Sequence, residues 1–166
     1  MRAHPWHPLL VHFPIACWTL ATLIDSATLV GALSQSVARA VPGVAPEAMS
    51  FALLWLGVLL GAAAMVLGLF DLLRLPPELQ RSGALNWHVV AMLGAWGLFL
   101  GSALLRPQPA PPFPPAPLAA TLTEVLGFVC LGLGGVLAAR VVFDGWPHRA
   151  AGGGDGRVES DVRMDA

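Results

Sequence analysis

Four apolar windows, each long enough to cross a bilayer, constrain this chain more than any other feature. A hydrocarbon core about 30 Å thick requires roughly 20 mostly apolar residues per helix. The windows that meet this length cover residues 9–33, 49–73, 87–105 and 118–143. We therefore predict an all-α fold, a four-helix transmembrane bundle that occupies 1–148 as a single membrane domain. The charged tail, 149–166, has too little apolar surface to fold alone and is predicted to be disordered.

The composition also indicates that lipid surrounds the chain, and it excludes several functions. Hydrophobic residues make up 56% of the chain and charged residues only 11%, whereas about a quarter of the residues are charged in an ordinary globular protein. A net charge of -1 provides no basic field for nucleic acid. The sequence contains no P-loop, dinucleotide fingerprint, zinc-protease motif or nucleophile elbow. We therefore expect a lipid-embedded protein that is not an enzyme and does not bind nucleic acid.

The positions of the arginines predict the orientation in the membrane, because cytoplasmic loops carry an excess of positive residues. All nine cationic residues are arginine. Two of them, Arg39 and Arg106, fall on one side of the predicted bundle. The other seven fall on the side of the termini: Arg2, Arg74, Arg81, Arg140, Arg149, Arg157 and Arg163. This bias predicts that both termini are cytoplasmic and that 106–117, which begins with Arg106, is a proline-rich external loop.

Ionisable side chains at membrane depth are expensive and mark candidate sites. His12, Asp71 and His88 lie near the predicted cytoplasmic ends of helices one, two and three. The two histidines are candidate axial ligands of a b-type haem, and Asp71 is a candidate partner that orients one of them. In the alternative interpretation, each histidine hydrogen-bonds a carbonyl, a carboxylate or headgroup water, and Asp71 pairs with Arg74 three residues further along the helix.

Asp25 and Glu124 form a second polar layer, near the predicted external ends of helices one and four. Glu124 begins a stripe of small and apolar residues at helical spacing, so we expect it to point into the bundle. The two carboxylates could relay protons or bind a cation, but side chains that reach to interfacial water are more common and are favoured here. Asp25 follows His12 by thirteen residues, about 140° of rotation, so these two residues belong to separate sites.

Two motifs and one histidine carry a family resemblance. The motifs are HPLLVHFPIA at 7–16 and GLFDLLRLP at 68–76, and they are followed by His88. Together they resemble the DUF2231 family of small bacterial membrane proteins. The resemblance implies a four-helix domain in a bacterial inner membrane, in a redox setting with respiratory or redox proteins as partners. The polar positions of the family fall on His7, His12, Asp71 and His88.

The same resemblance includes one departure. Relatives often carry an acidic residue in a glycine-rich stretch of the last helix, where this chain has Gly134-Gly135-Val136-Leu137.

These observations lead to three hypotheses. The first is a non-enzymatic membrane protein in which His12, His88 and Asp71, with His7 as a further candidate, hold haem b or a quinone. The second is a structural or partner-binding module without a cofactor, in which the same residues form a network between helices. The third is proton or cation transport through Asp25 and Glu124, for which an oligomer would supply the pathway.

Overall fold

The computed structural model describes residues 6–31, 45–75, 77–107 and 114–144. Within these ranges the side chains of 6–9, 78–79 and 141–144 are not described. The predicted disordered tail, 149–166, lies outside the described residues, as do the central part of the proline-rich loop and most of the loop between the first two long helices.

The four predicted membrane helices are confirmed. The described helices are α1 (Trp6–Leu29), α2 (Pro46–Leu73), the single turn α3 (Pro77–Gln80), α4 (Gly83–Leu105) and α5 (Leu118–Asp144). All except α3 are long and apolar enough to cross a membrane.

The ends of α1 differ most from the predicted window and have local causes. The helix begins at Trp6. Pro8 is compatible with this start, because it falls in the first turn, where no intrahelical hydrogen bond needs the N–H that proline lacks. It ends at Leu29 because Gly31 adopts a φ of 71°, the left-handed conformation that commonly terminates helices.

The bundle consists of two hairpins. The most extensive contacts join α1 to α2 and α4 to α5, and smaller contacts of α1 with α5 and of α2 with α4 close the bundle. Helices α1 and α4 are therefore diagonal neighbours, as are α2 and α5. This order brings the C-terminal ends of α1 and α4 to the same end of the bundle as the N-terminal ends of α2 and α5.

An aromatic stack crosses the α1–α4 diagonal at the centre of the core. The rings of Trp18 and Phe99 lie parallel, with centroids 4.5 Å apart and an interplanar angle of 3°. Trp18 fits against α2 because that helix presents Gly57 and Gly61 to its ring. Backbones approach closely at such small residues, as is common where membrane helices pack.

The outside of the bundle is apolar on every long helix. Leu23, Leu59, Leu104 and Leu133 are each more than half exposed. A surface of this kind would aggregate in water, whereas lipid chains solvate it well. The structure therefore defines a protein whose environment is the bilayer.

Candidate functional site: a buried arginine cluster

Arg106 is the centre of a buried polar cluster at one end of the bundle. It directly follows α4 and has an extended backbone, with φ -78° and ψ 141°. Its side chain is only 5% exposed. The Nη2 atom donates hydrogen bonds both to Asp25 Oδ2 on α1 and to Glu124 Oε1 on α5. The Nη1 atom donates to Ser50 Oγ on α2 at 3.2 Å, so one guanidinium links all four long helices.

Two serine hydroxyls complete the cluster. Ser102, one turn before the end of α4, donates to Glu124 Oε1 at 2.6 Å. Ser50 donates to the carbonyl oxygen of Ala21 at 3.5 Å. We define the arginine cluster as five residues: Asp25, Ser50, Ser102, Arg106 and Glu124. All of them except Arg106 are at most 1% exposed, and the Arg106 side chain is 5% exposed.

The charges of the arginine cluster do not balance when every group is ionised. Two carboxylates then face one guanidinium, and the net charge is -1. Each carboxylate also keeps one buried oxygen, Asp25 Oδ1 or Glu124 Oε2, that has no hydrogen-bond partner among the described residues. An uncompensated charge in a water-excluded site costs several kcal/mol. One further positive charge, bound at either carboxylate, would balance the charges of the cluster.

A small cleft opens to the surface beside Arg106. It lies where α2 begins and where the chain leaves α4, and Arg106 itself forms part of its wall. The other lining residues are Glu47, Phe51, Pro107, Pro114, Pro115 and Ala116. The cluster thus borders the outside at the end of the bundle that we call the Arg106 end.

The sequence-based interpretation of this layer was wrong in two respects. Asp25 and Glu124 do not reach to water, since they are 1% and 0% exposed. Arg106 lies in the loop after α4, as predicted, but its side chain was expected to face outward and its guanidinium instead lies inside the bundle. The missed signal was a cation at the end of an apolar window, at the same predicted depth as two otherwise unpaired carboxylates. The expectation that Glu124 points inward is confirmed.

His88 is tied to the neighbouring helix at the opposite end of the bundle. Its Nδ1 atom lies 2.8 Å from the carbonyl oxygen of Gly134 on α5. Because a carbonyl can only accept, Nδ1 carries the proton and donates it, and the lone pair of a neutral imidazole is then on Nε2. A backbone carbonyl commonly orients a metal-ligating histidine in this way.

His12 lies apart from His88. Because the rings of Trp18 and Phe99 are stacked, these two residues lie at the same depth in the bundle. His12 lies six residues before Trp18 on α1, whereas His88 lies eleven residues before Phe99 on α4. At 1.5 Å per residue the two histidines differ by about 7 Å along the bundle. His12 is also exposed, whereas His88 is half-buried. They are therefore not placed to bind opposite faces of one haem within a single chain.

The remaining candidates of this layer are Asp71 and His7. Asp71 is half-buried, and it forms no ion pair with Arg74, because both ion pairs in the described part of the chain involve Arg106. His7 lies in the first turn of α1, but its side chain is outside the described set. Across the described ranges, no three His, Cys, Asp or Glu side chains converge as a metal site requires.

Four apolar spanning helices that bury an arginine and two carboxylates define a multi-pass integral membrane protein. The chain belongs to the family described as "Predicted membrane protein (DUF2231)", whose model matches residues 3–149. This match confirms the resemblance seen in the sequence. Comparison of the chain with curated proteins and with solved structures finds no match.

Proposed function

We propose that this protein binds and releases a proton at the Asp25–Glu124 carboxylate pair, as a proton-handling module of the membrane. The observation that supports this proposal is that two buried carboxylates share one guanidinium, and that each keeps an oxygen without a partner among the described residues. One bound proton makes the arginine cluster neutral. It also turns one carboxylate into a hydrogen-bond donor.

A purely structural ion pair would need only one of the two carboxylates. Arg106 with a single partner is already neutral, and the serines of α2 and α4 supply further hydrogen bonds. The second carboxylate adds a desolvation cost of several kcal/mol with no charge to compensate it. Ionisable groups kept inside a membrane at such cost often belong to proton relays or ion pathways.

The cleft at the Arg106 end gives the proton a route to one side of the membrane. Arg106, which is the partner of both carboxylates, lines it together with Glu47 of α2. In this proposal the chain lies in a bacterial inner membrane with cytoplasmic termini, as the arginine bias predicts. The cluster then exchanges protons with the external side.

Infrared difference spectroscopy of the protein in lipid tests the proposal. We expect a carbonyl stretching band from one protonated carboxyl group, which shifts in D2O and disappears reversibly as the pH is raised. Both Asp25→Asn and Glu124→Gln should abolish the band, whichever residue holds the proton. The reason is that each variant leaves one carboxylate opposite Arg106, a neutral pair that needs no proton.

Glu47→Gln is the matched control, because this acid lines the cleft but lies outside the arginine cluster. It should leave the band unchanged. If folded wild-type protein shows no carboxyl band that Asp25→Asn and Glu124→Gln both remove, the proposal fails and the cluster is a structural network. A band that appears only when Na+ is withheld would replace the proton with a metal cation.

A second candidate function, haem binding, is favoured by the fixed tautomer of His88. The Nδ1–Gly134 bond leaves the Nε2 lone pair for a ligand, which suits the iron of a b-type haem or the hydroxyl of a quinol. His88 would hold such a group, and its chemistry would be one-electron transfer with a redox partner in the membrane. The position of His12 requires that the other axial ligand come from elsewhere, for instance from a second copy of the chain.

The reduced-minus-oxidised absorption spectrum of protein purified from haem-replete cells tests this second candidate. If it is correct, we expect a b-type spectrum that His88→Ala abolishes. If His12→Ala also abolishes the spectrum, His12 of a second copy of the chain is the other axial ligand. Folded protein without a haem spectrum would rule out the haem hypothesis and leave the proton proposal untouched.

A further inference from the structure

Arg106 lies between two sets of carboxylates. On its inner side are Asp25 and Glu124, which accept hydrogen bonds from Nη2. On its outer side is Glu47, which is half-buried and lines the same small cleft as Arg106. Both ion pairs in the described part of the chain join Arg106 to the inner carboxylates. Among the described residues, Glu47 therefore has no cationic partner.

Helix α2 connects the two sets. Ser50 accepts a hydrogen bond from Arg106 Nη1 at 3.2 Å, and Glu47 precedes Ser50 by three residues. Residues at this spacing are neighbours on one face of a helix, about 4.5 Å apart along its axis. Because α2 begins at Pro46, Glu47 is the one nearer the end of the bundle. A guanidinium bonded to Ser50 would thus move by less than one turn of α2 to reach Glu47.

The attachment of Arg106 allows this movement. A residue that precedes a proline is restricted to extended backbone, and Arg106, which precedes Pro107, has a φ of -78° and a ψ of 141°. The backbone is thus fixed just beyond α4, while the long side chain can change rotamer. Its Nε atom has no hydrogen-bond partner among the described residues, so the two Nη atoms alone hold the guanidinium inside. The cleft provides open space on the outer side.

The charge of the inner carboxylates determines which set binds the guanidinium more strongly. While either of them is ionised, Arg106 forms a buried pair with it. When both are neutral, the guanidinium is an uncompensated charge in a place where its side chain is only 5% exposed, which is unfavourable. Glu47 offers a compensating charge beside the open cleft. It also lies in the first turn of α2, where the helix dipole favours a carboxylate.

We propose that Arg106 is a proton-controlled switch, which binds Asp25 and Glu124 while either is ionised and turns outward to Glu47 when both are neutral. These three acids, on α1, α5 and α2, are the titratable groups that face the guanidinium among the described residues. The inference rests on the proposed function, because it adds a response to the proton load of the carboxylate pair. The number of bound protons then determines whether a positive charge lies inside the bundle or at its surface.

NMR of 15N-arginine-labelled protein in detergent micelles tests the switch. Arg106→Lys assigns the Nε–H signal of Arg106, and broadening by a water-soluble gadolinium chelate measures its exposure. We expect this signal to be protected in wild-type protein near neutral pH. In the Asp25→Asn/Glu124→Gln double variant, which imitates the doubly protonated pair, it should broaden severalfold more strongly. The signal of Arg140, an exposed arginine on α5, should broaden strongly in both proteins.

Glu47→Gln identifies the outer partner. In the double-variant background it should shift the Arg106 signal, because the guanidinium loses its new carboxylate. In wild-type protein it should leave that signal where it is. Asp71→Asn is the matched control, since Asp71 is also a half-buried acid of α2 but lies near the opposite end of the helix. It should shift the Arg106 signal in neither background.

Two results would overturn the inference: an Arg106 signal that stays protected in the double variant, or one that Glu47→Gln does not shift there. If the double variant does not fold, a wild-type signal that stays protected down to low pH overturns it instead. Because the double variant is neutral by substitution, its result does not depend on proton binding by the wild-type protein. Failure of the switch and failure of the proton site, which the infrared band reports, are therefore distinguishable.

Discussion

Arg106→Gln is expected to destabilise the folded protein by about 3–5 kcal/mol, the usual cost of removing one partner from a buried ion pair. The substitution leaves Asp25 and Glu124 next to each other without a cation, in a place where both are at most 1% exposed. Unfolding of the detergent-solubilised protein, followed by circular dichroism against temperature or added SDS, measures the loss. Since protons can neutralise both carboxylates, the loss should shrink as the pH is lowered.

The rest of the chain provides a control and a rescue for this prediction. Arg140 is an exposed arginine on α5, and Arg140→Gln should change the stability by less than about 1 kcal/mol. Adding Asp25→Asn and Glu124→Gln to Arg106→Gln removes every charge of the cluster and should recover much of the loss. If the triple variant is as unstable as Arg106→Gln alone, the loss comes from packing of the arginine and not from the stranded charges.

The membrane bundle was predictable because lipid imposes a simple requirement on sequence. A segment must be apolar for roughly 20 residues and must satisfy its own backbone, and both conditions are visible without a structure. The inward face of α5 followed from small and apolar residues at helical spacing after Glu124, and Gly127 on that helix is indeed close to the ring of Phe99. Such periodicity can be read from one helix alone, without knowing which helices pack against it.

The partners of the polar residues were not predictable in the same way. Depth and rotation placed Asp25, Glu124 and His88 on their helices, but the sequence did not specify which helices are neighbours. Arg106 shows the limit most clearly. Its position after an apolar window is typical of a solvent-facing loop residue, and only the meeting of α1, α4 and α5 at one end of the bundle makes it the centre of a buried cluster.

The fit of Trp18 against α2 leads to a second large effect, at Gly61. A Cβ atom there would lie 2.6 Å from Trp18 Cη2 and 3.1 Å from Trp96 Cδ1. Neither ring can move easily, because Trp18 is stacked on Phe99 and Trp96 is hydrogen-bonded to Val58. We therefore expect Gly61→Ala to destabilise the bundle by about 1–3 kcal/mol through overpacking, measured by the same unfolding experiment.

Two other glycines test whether rigidity of the neighbour determines this cost. At Gly134 the nearest atom to an added Cβ is the terminal methyl group of Met92, and a methionine side chain repacks readily. At Gly97 nothing lies within 4 Å. Both alanine variants should be tolerated. Trp18→Phe replaces the indole with a smaller ring and removes the atoms that would meet a Cβ on Gly61. The Trp18→Phe/Gly61→Ala double variant should therefore recover part of the stability lost in Gly61→Ala. Equal losses of stability at all three glycines would contradict the role of neighbour rigidity.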